Sequence, residues 1–265
     1  MQMQERISEK GADLSQSDRW AYGHQTHASA RSVSQIEAEF LKSLRFYRGL
    51  LKHHLPDDLN ACILDLPCGE GQMVFVLREM GYENVSGCDL DTSRLATGQK
   101  LGLPIYTGNV FTELEQRQDN SVDCVFAMDF VEHLDKDDVI RFLQLAFHKL
   151  SPRGKLFVRT PCADALHGAA HVFNDFTHKW AATSGVLRQL LNASGFISVN
   201  VFGEHPTFDM RFGYIRVPLF QIMSRMLNLV VRCVHGARYV IWSASMWGVG
   251  MKPASNVDGK KTVAP

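Results

Sequence analysis

The run Ile63-Leu-Asp-Leu-Pro-Cys-Gly-Glu-Gly71 constrains the fold of this chain more than any other. A strand-like apolar stretch, Ala61–Leu66, breaks into a turn with glycines at 69 and 71, and helical periodicity resumes over Gln72–Met80. Without Cβ atoms at those two positions, the main chain can pass close to a ligand. A strand, a glycine turn and a helix in that order open an α/β sheet, whose ligands sit beyond the carboxyl ends of the strands. A dinucleotide fingerprint would carry a third glycine at position 74, where this chain has Val74, and no Gly-Lys-Ser/Thr follows as in a phosphate loop. A nicotinamide-dependent oxidoreductase is therefore the weaker reading, and a phosphate loop is excluded.

The second constraint is an acid at the end of the next strand. Asp89 closes Val85–Asp89, twenty residues after Gly69. A carboxylate there can accept hydrogen bonds from both hydroxyls of a ribose. The turn and the acid together suit a nucleoside that needs no phosphate.

The rest of the chain alternates in the same way. Helices are expected over Thr92–Lys100, Asp137–Leu150 and Val186–Ala193, and strands over Leu103–Tyr106, Val122–Met128, Lys155–Thr160 and Phe196–Phe202. Ser151-Pro-Arg-Gly154 reads as a turn, and Ser243–Lys252 as a last strand. Such alternation predicts a mostly parallel sheet covered on both faces. Ahead of it, Ser34 and Glu37 have capping-box spacing, and Ile36, Phe40, Leu44, Tyr47, Leu51 and Leu55 continue as a helical stripe up to Pro56.

Four regions follow from this pattern: an arm and helix over 1–56, acting as a lid; a ligand-binding domain over 57–205 plus 239–253; an apolar helical insert over 206–238; and a disordered polar tail over 254–265. Within the insert, residues 214–233 are strongly apolar but carry Arg216, Arg225 and Arg232. Those charges argue against a membrane span and for an amphipathic helix. Its apolar face packs on the domain or, as the second reading, touches a membrane surface peripherally.

Lys+Arg and Asp+Glu are both 28, so no strongly basic surface recommends nucleic acid as a partner. The six cysteines are scattered, several of them inside strand-like runs, which suits reduced thiols in a cytoplasmic protein. The first residues are polar and lack the apolar run of a secretory signal.

Five segments, LDLPCGEG, VSGCDLD, TGNVF, VDCVFAMDFVEHL and LSPRGKLFVRTP, resemble in order and spacing the motifs of class I S-adenosylmethionine-dependent methyltransferases over residues 61–161. FISVNV and the strand near Trp247 resemble the closing pair of the same Rossmann-like seven-stranded sheet. Pro67 replaces the glycine usual two residues after the first Asp. The resemblance implies that Asp65 and the Pro67-Cys68-Gly69–Gly71 turn hold the methionine part of the cofactor, and that Asp89 and Leu90 hold the ribose side. It places Asn109 and Val110 near the adenine, with the Asn109 amide oxygen accepting from the exocyclic amine, and Ala127 and Met128 beside the sulfonium.

Asp129-Phe-Val-Glu-His133 and Asn174-Asp-Phe-Thr-His178 resemble the ubiquinone-pathway O-methyltransferases and their glycan-modifying relatives. In some members of that broad branch, and in small-RNA 2′-O-methyltransferases, the first pattern binds a divalent metal. Asp129, Glu132 and His133 match it residue by residue, with Asp for the usual Glu; many relatives with the Glu-His pair bind none. The alternative is that Glu132 and His133 cap the following helix and bond the sheet edge.

Asp175 and His178 admit two readings: a carboxylate-oriented general base, with His133 as the other proton acceptor, or a pair that only stabilises a helical turn. The Asn-Pro-Pro-aromatic motif of many amino-methylating enzymes is missing, which tilts the expected reaction toward a hydroxyl on a small molecule or sugar. An N-methyltransferase acting on a small molecule and a catalytically silent cofactor-binding module are the alternatives.

Overall fold

The computed structural model describes residues 31–236 and 240–254, so the N-terminal arm 1–30 and the tail beyond 254 lie outside the described residues. Seven strands form one sheet in the order β3-β2-β1-β4-β5-β7-β6. They are β1 (Ile63–Asp65), β2 (Val85–Asp89), β3 (Ile105–Thr107), β4 (Val122–Met128), β5 (Leu150–Pro161), β6 (Ile197–Gly203) and β7 (Ser245–Met251). Pairings from β3 through β5 are parallel, and β7 runs antiparallel to both β5 and β6. β1 lies in the middle, with Ile63, Leu64 and Asp65 opposite Val85, Ser86 and Gly87 on one side and Cys124, Val125 and Phe126 on the other.

The helices are α1 (Val33–Leu51), α2 (Gln72–Glu79), α3 (Thr92–Gln99), α4 (Val110–Gln116), α5 (Lys136–Lys149), α6 (Gly168–Phe173), α7 (Ser184–Ala193) and α8 (Gly213–His235). Side-chain alternation along the strands divides the interior into two cores. Ile63, Phe126, Phe157 and Trp247 face one side, packed with Phe40 of α1 and Met73 of α2. Leu64, Val125, Leu156 and Met246 face the other, with Phe142 of α5 and Leu187 of α7. The expected doubly covered, mostly parallel seven-stranded sheet is the observed one.

The local differences have identifiable causes. α1 begins at Val33, one residue ahead of the Ser34 expected to cap it, and ends at Leu51, before the stripe runs out at Leu55. Ile36, Phe40, Tyr47, Leu50 and Leu51 are buried, so this helix is part of the first core. Ser151–Gly154 is not a turn between elements. It is an irregularity inside β5, where Arg153 takes φ +67° and the register against β4 shifts between Val122 and Cys124. Short α4 and α6 lack the length for a periodic signal and were not expected.

The cysteines of the described chain are all free, and only Cys233 is exposed. Trp247 is fully buried, meets Tyr47 and Phe126 edge-on, and donates its Nε1–H to Glu204 at 3.1 Å. Trp247→Ala should lower stability by about 3–5 kcal/mol, because it leaves a large cavity in the first core. Equilibrium denaturation in urea checks this through the midpoint shift.

Candidate active site

The carboxyl ends of β1, β2, β4 and β5 converge on one edge of the sheet, and the glycine turn lies across it. Gly69 and Gly71 take φ +54° and +84°, a region that side-chain-bearing residues avoid. The turn is tied down on three sides: Leu66 N–H donates to the Phe126 carbonyl at 2.8 Å, Cys68 N–H to the Cys88 carbonyl at 2.9 Å, and Gly69 N–H to Asp89 Oδ2 at 2.8 Å. Asp89 Oδ1 accepts from Asp91 N–H at 2.9 Å. A carboxylate offers about four lone-pair sites, so each Asp89 oxygen retains capacity for a ribose hydroxyl. The turn and the acid, read separately from the sequence, are in direct contact.

Asp65 ends β1 and is 2% exposed, with Oδ1 buried and unpartnered. Burial, reinforced by the Asp89 charge, holds its carboxyl well above the usual range. A donor that reaches Oδ1, above all a cationic one, relieves that penalty. Leu90 exposes its side chain beside Asp89, while Met128 is half-buried at the end of β4.

Two expected roles change. Asn109 Oδ1 accepts from the Phe111 and Thr112 amides at 2.9 and 3.3 Å and caps α4. With both lone pairs engaged, that oxygen is not the acceptor for an adenine amine. Ala127 is fully buried in the second core, as is most of Val110, so only the Ala127 main chain can face a ligand.

A second cluster follows β4 and β5. A short 3₁₀ turn, Val131–His133, presents Glu132 and His133, and the loop after α6 brings in Asp175, Thr177 and His178. The His133 and His178 rings meet edge-on at 4.7 Å. Thr177 Oγ1 donates to Asp175 Oδ1 at 2.6 Å and therefore accepts from His133 Nδ1, 2.8 Å away. His178 Nδ1 lies 2.6 Å from the Val172 carbonyl, which can only accept. Both imidazoles thus donate from Nδ1, which selects the tautomer whose Nε2 is the lone pair when the ring is neutral.

Burial and then the neighbouring His178 lower the His133 pKa, so its ring is neutral at pH 7. Burial raises the Asp175 carboxyl, but the Thr177 hydroxyl and amide hydrogen bonds, with the two histidines, outweigh it and leave its pKa below the usual value. Asp175 thus orients His133 through Thr177, where the sequence had paired it with His178. Neither Thr177 nor the Val172 carbonyl was expected; the Asx-turn spacing Asp175-x-Thr177 was the available signal.

Glu132 is 2% exposed, accepts from Thr160 Oγ1 at 3.1 Å, and has Oε1 buried without a partner. Burial and then Asp129 push its carboxyl up to about 8. Ligand atoms of Glu132, His133 and His178 lie within 4.8 Å of one another. Asp129, which the motif offers as a possible metal ligand beside Glu132 and His133, instead pairs with Arg159, which also holds Glu204 at 2.6 Å. His178 takes that third place.

The methyltransferase-domain family matches residues 36–201, and the chain belongs to it, which makes it an S-adenosylmethionine-dependent methyltransferase. No curated protein matches it in sequence. Its fold is similar to that of a SAM-dependent methyltransferase from Archaeoglobus fulgidus, at TM-score 0.61 and 19% identity over 84% of this chain and 100% of that one. A Mesorhizobium loti S-adenosylmethionine-dependent methyltransferase gives 0.53 and 19% over 78% and 97%. The Haemonchus contortus phosphoethanolamine N-methyltransferase 2, bound to phosphomonomethylethanolamine and S-adenosylhomocysteine, gives 0.54 and 18% over 85% and 59%.

The residues present fit this cofactor. The unpartnered Asp65 oxygen suits its ammonium, and the spare Asp89 lone pairs suit its ribose. Asp65→Asn should weaken S-adenosylhomocysteine binding at least about tenfold while the ligand-free protein melts no lower than wild type. Calorimetry and a thermal melt check the two halves.

Proposed function

We propose that this enzyme O-methylates a hydroxyl of a small molecule or sugar, with His133 as proton acceptor. The observation that carries this reading is the chain Asp175–Thr177–His133, which fixes a neutral imidazole with a free Nε2 at the carboxyl edge of the sheet. Its kinship with ubiquinone-pathway and glycan O-methyltransferases rests on the Asp129–His133 and Asn174–His178 motifs.

The cofactor, when bound, supplies a methyl group already activated on a sulfonium. What remains for the protein is alignment of the acceptor and removal of its proton. Alignment alone accounts for several kcal/mol of barrier, up to about 7–11 in ideal cases. A hydroxyl is a weak nucleophile until its proton leaves, and His133 Nε2 takes it. Thr177 and Asp175 hold the tautomer and then stabilise the imidazolium. His178, edge-on to His133, adds to burial in disfavouring the charged ring and so favours the neutral, proton-accepting form.

A second reading has one specific observation behind it. Glu132, His133 and His178 form a carboxylate and imidazole donor set around a buried, unpartnered Oε1. A divalent metal there would be held by these three and would supply Lewis-acid activation of the acceptor hydroxyl. The histidines would then be ligands instead of bases. Turnover that survives chelation favours the base; turnover lost on chelation and restored by a divalent cation favours the metal.

The base reading has a defined pH signature. The pKa of His133 is lowered, so its reactive neutral form persists below 6.5. Plotted against pH, kcat/KM should rise to a plateau with an apparent pKa under 6.5. His133→Ala should reduce turnover by about 10²–10⁴ with S-adenosylhomocysteine affinity unchanged, and Thr177→Val should produce a smaller loss with a displaced pH profile. Equal turnover in the His133 variant removes it as the base. Identification of the methylated atom by mass spectrometry and NMR tests the oxygen assignment.

A further inference from the structure

We infer that α8 is a docking helix that lies flat on an anionic bilayer surface. It has 23 residues, none of them acidic, and three arginines, Arg216, Arg225 and Arg232. Ile215, Leu219, Ile222, Met226 and Leu229 recur at spacings of three and four, so they form one stripe. Each exposes 54 to 66% of its surface. The opposite side holds the helix to the domain. Val217 is buried, and Asn228 Oδ1 accepts from Val240 N–H at 2.8 Å.

By length and composition Gly213–Val234 is also apolar enough to cross a membrane. Topology excludes it. α8 connects β6 to β7, which are hydrogen-bonded neighbours in the same sheet. Both helix ends must therefore stay on one side of a bilayer, whereas a span of 23 residues, about 35 Å long, would separate them. The returning chain is moreover fastened to the middle of α8 at Asn228, with Ile241 buried. A helix in the interfacial plane satisfies both conditions.

The charges select the occupant. At about 100° per residue, Arg225 and Arg232 share one border of the apolar stripe and Arg216 lies on the other. All three are exposed, and among the described residues none is paired with a carboxylate. The Arg225–Arg232 border opens on a groove of about 430 Å³ lined also by Phe220, Gln221, Ser224 and Asn228. Apolar side chains entering the acyl boundary with arginines at headgroup level match an anionic leaflet. A second copy is the poorer fit, because two such faces would oppose arginine borders with no acid on either helix.

Flotation of the full-length protein with vesicles tests the inference and is independent of the acceptor. Association with phosphatidylcholine vesicles containing phosphatidylglycerol should be at least about tenfold stronger than with phosphatidylcholine alone, and should weaken with salt. Ile222→Asp with Met226→Asp should abolish it while S-adenosylhomocysteine binding is retained, which shows the variant folded. Arg225→Gln with Arg232→Gln should remove the preference for the anionic lipid. Wild-type protein that stays off both vesicles overturns the inference, as does association that the aspartates leave unchanged. A dimer in light scattering that the aspartates dissolve, without vesicle binding, overturns it in favour of a second copy.

Discussion

One hydrogen bond organises the cofactor end of this molecule: Gly69 N–H to the Asp89 carboxylate. It joins the turn after β1 to the end of β2, so the two elements that would hold a nucleoside cannot drift apart. Its geometry needs a left-handed residue at 69, which only glycine adopts without strain. The same residue pair also explains why Asp89 stays buried at low cost: its two oxygens accept from Gly69 and Asp91 before any ligand arrives. Position, charge and access for the ligand thus follow from one contact between residues twenty apart.

How much of this could be read beforehand depended on whether the deciding interaction was local. β2 and β4 have the bounds expected of them, because each short, strand-like segment is closed by an acid, Asp89 as the last residue of β2 and Asp129 directly after β4. The turn was legible because strand, glycines and helix are contiguous. Asn109 was misread because Asx capping and base recognition use the same amide oxygen, and the cap wins when two main-chain amides follow at once. Arg153 was misread for a related reason: a left-handed residue marks a turn and a strand irregularity alike, and the pairing of β5 with β4 decides between them.

The histidine cluster shows the limit more sharply. Asp129, Glu132 and His133 sit close in sequence and invite grouping, yet Arg159, thirty residues away, draws the Asp129 carboxylate out of the set. His178 enters it from a loop forty-five residues beyond His133, and no local pattern announces that contact. Tautomer control was equally hidden. It depends on a main-chain carbonyl at Val172 and on a threonine hydroxyl whose proton is already committed to Asp175. Side-chain chemistry was readable from the chain, but the partners that set its direction were not.

Two buried carboxylates, Asp65 and Glu132, each leave one oxygen without a donor at the same edge of the sheet. A fold selected for stability alone would not keep such groups, since each unpartnered polar atom costs about 1–3 kcal/mol. Burial raises both carboxyls, Asp65 well above its ordinary range and Glu132 to about 8, so in each the charged form is penalised. Neither is relieved by the protein itself: Thr160 satisfies only one Glu132 oxygen, and Asp89 adds repulsion to Asp65. The energy is recovered when a donor or cation arrives. The vacant lone pairs therefore favour ligands that bring positive charge to β1 and a donor or cation to the turn after β4.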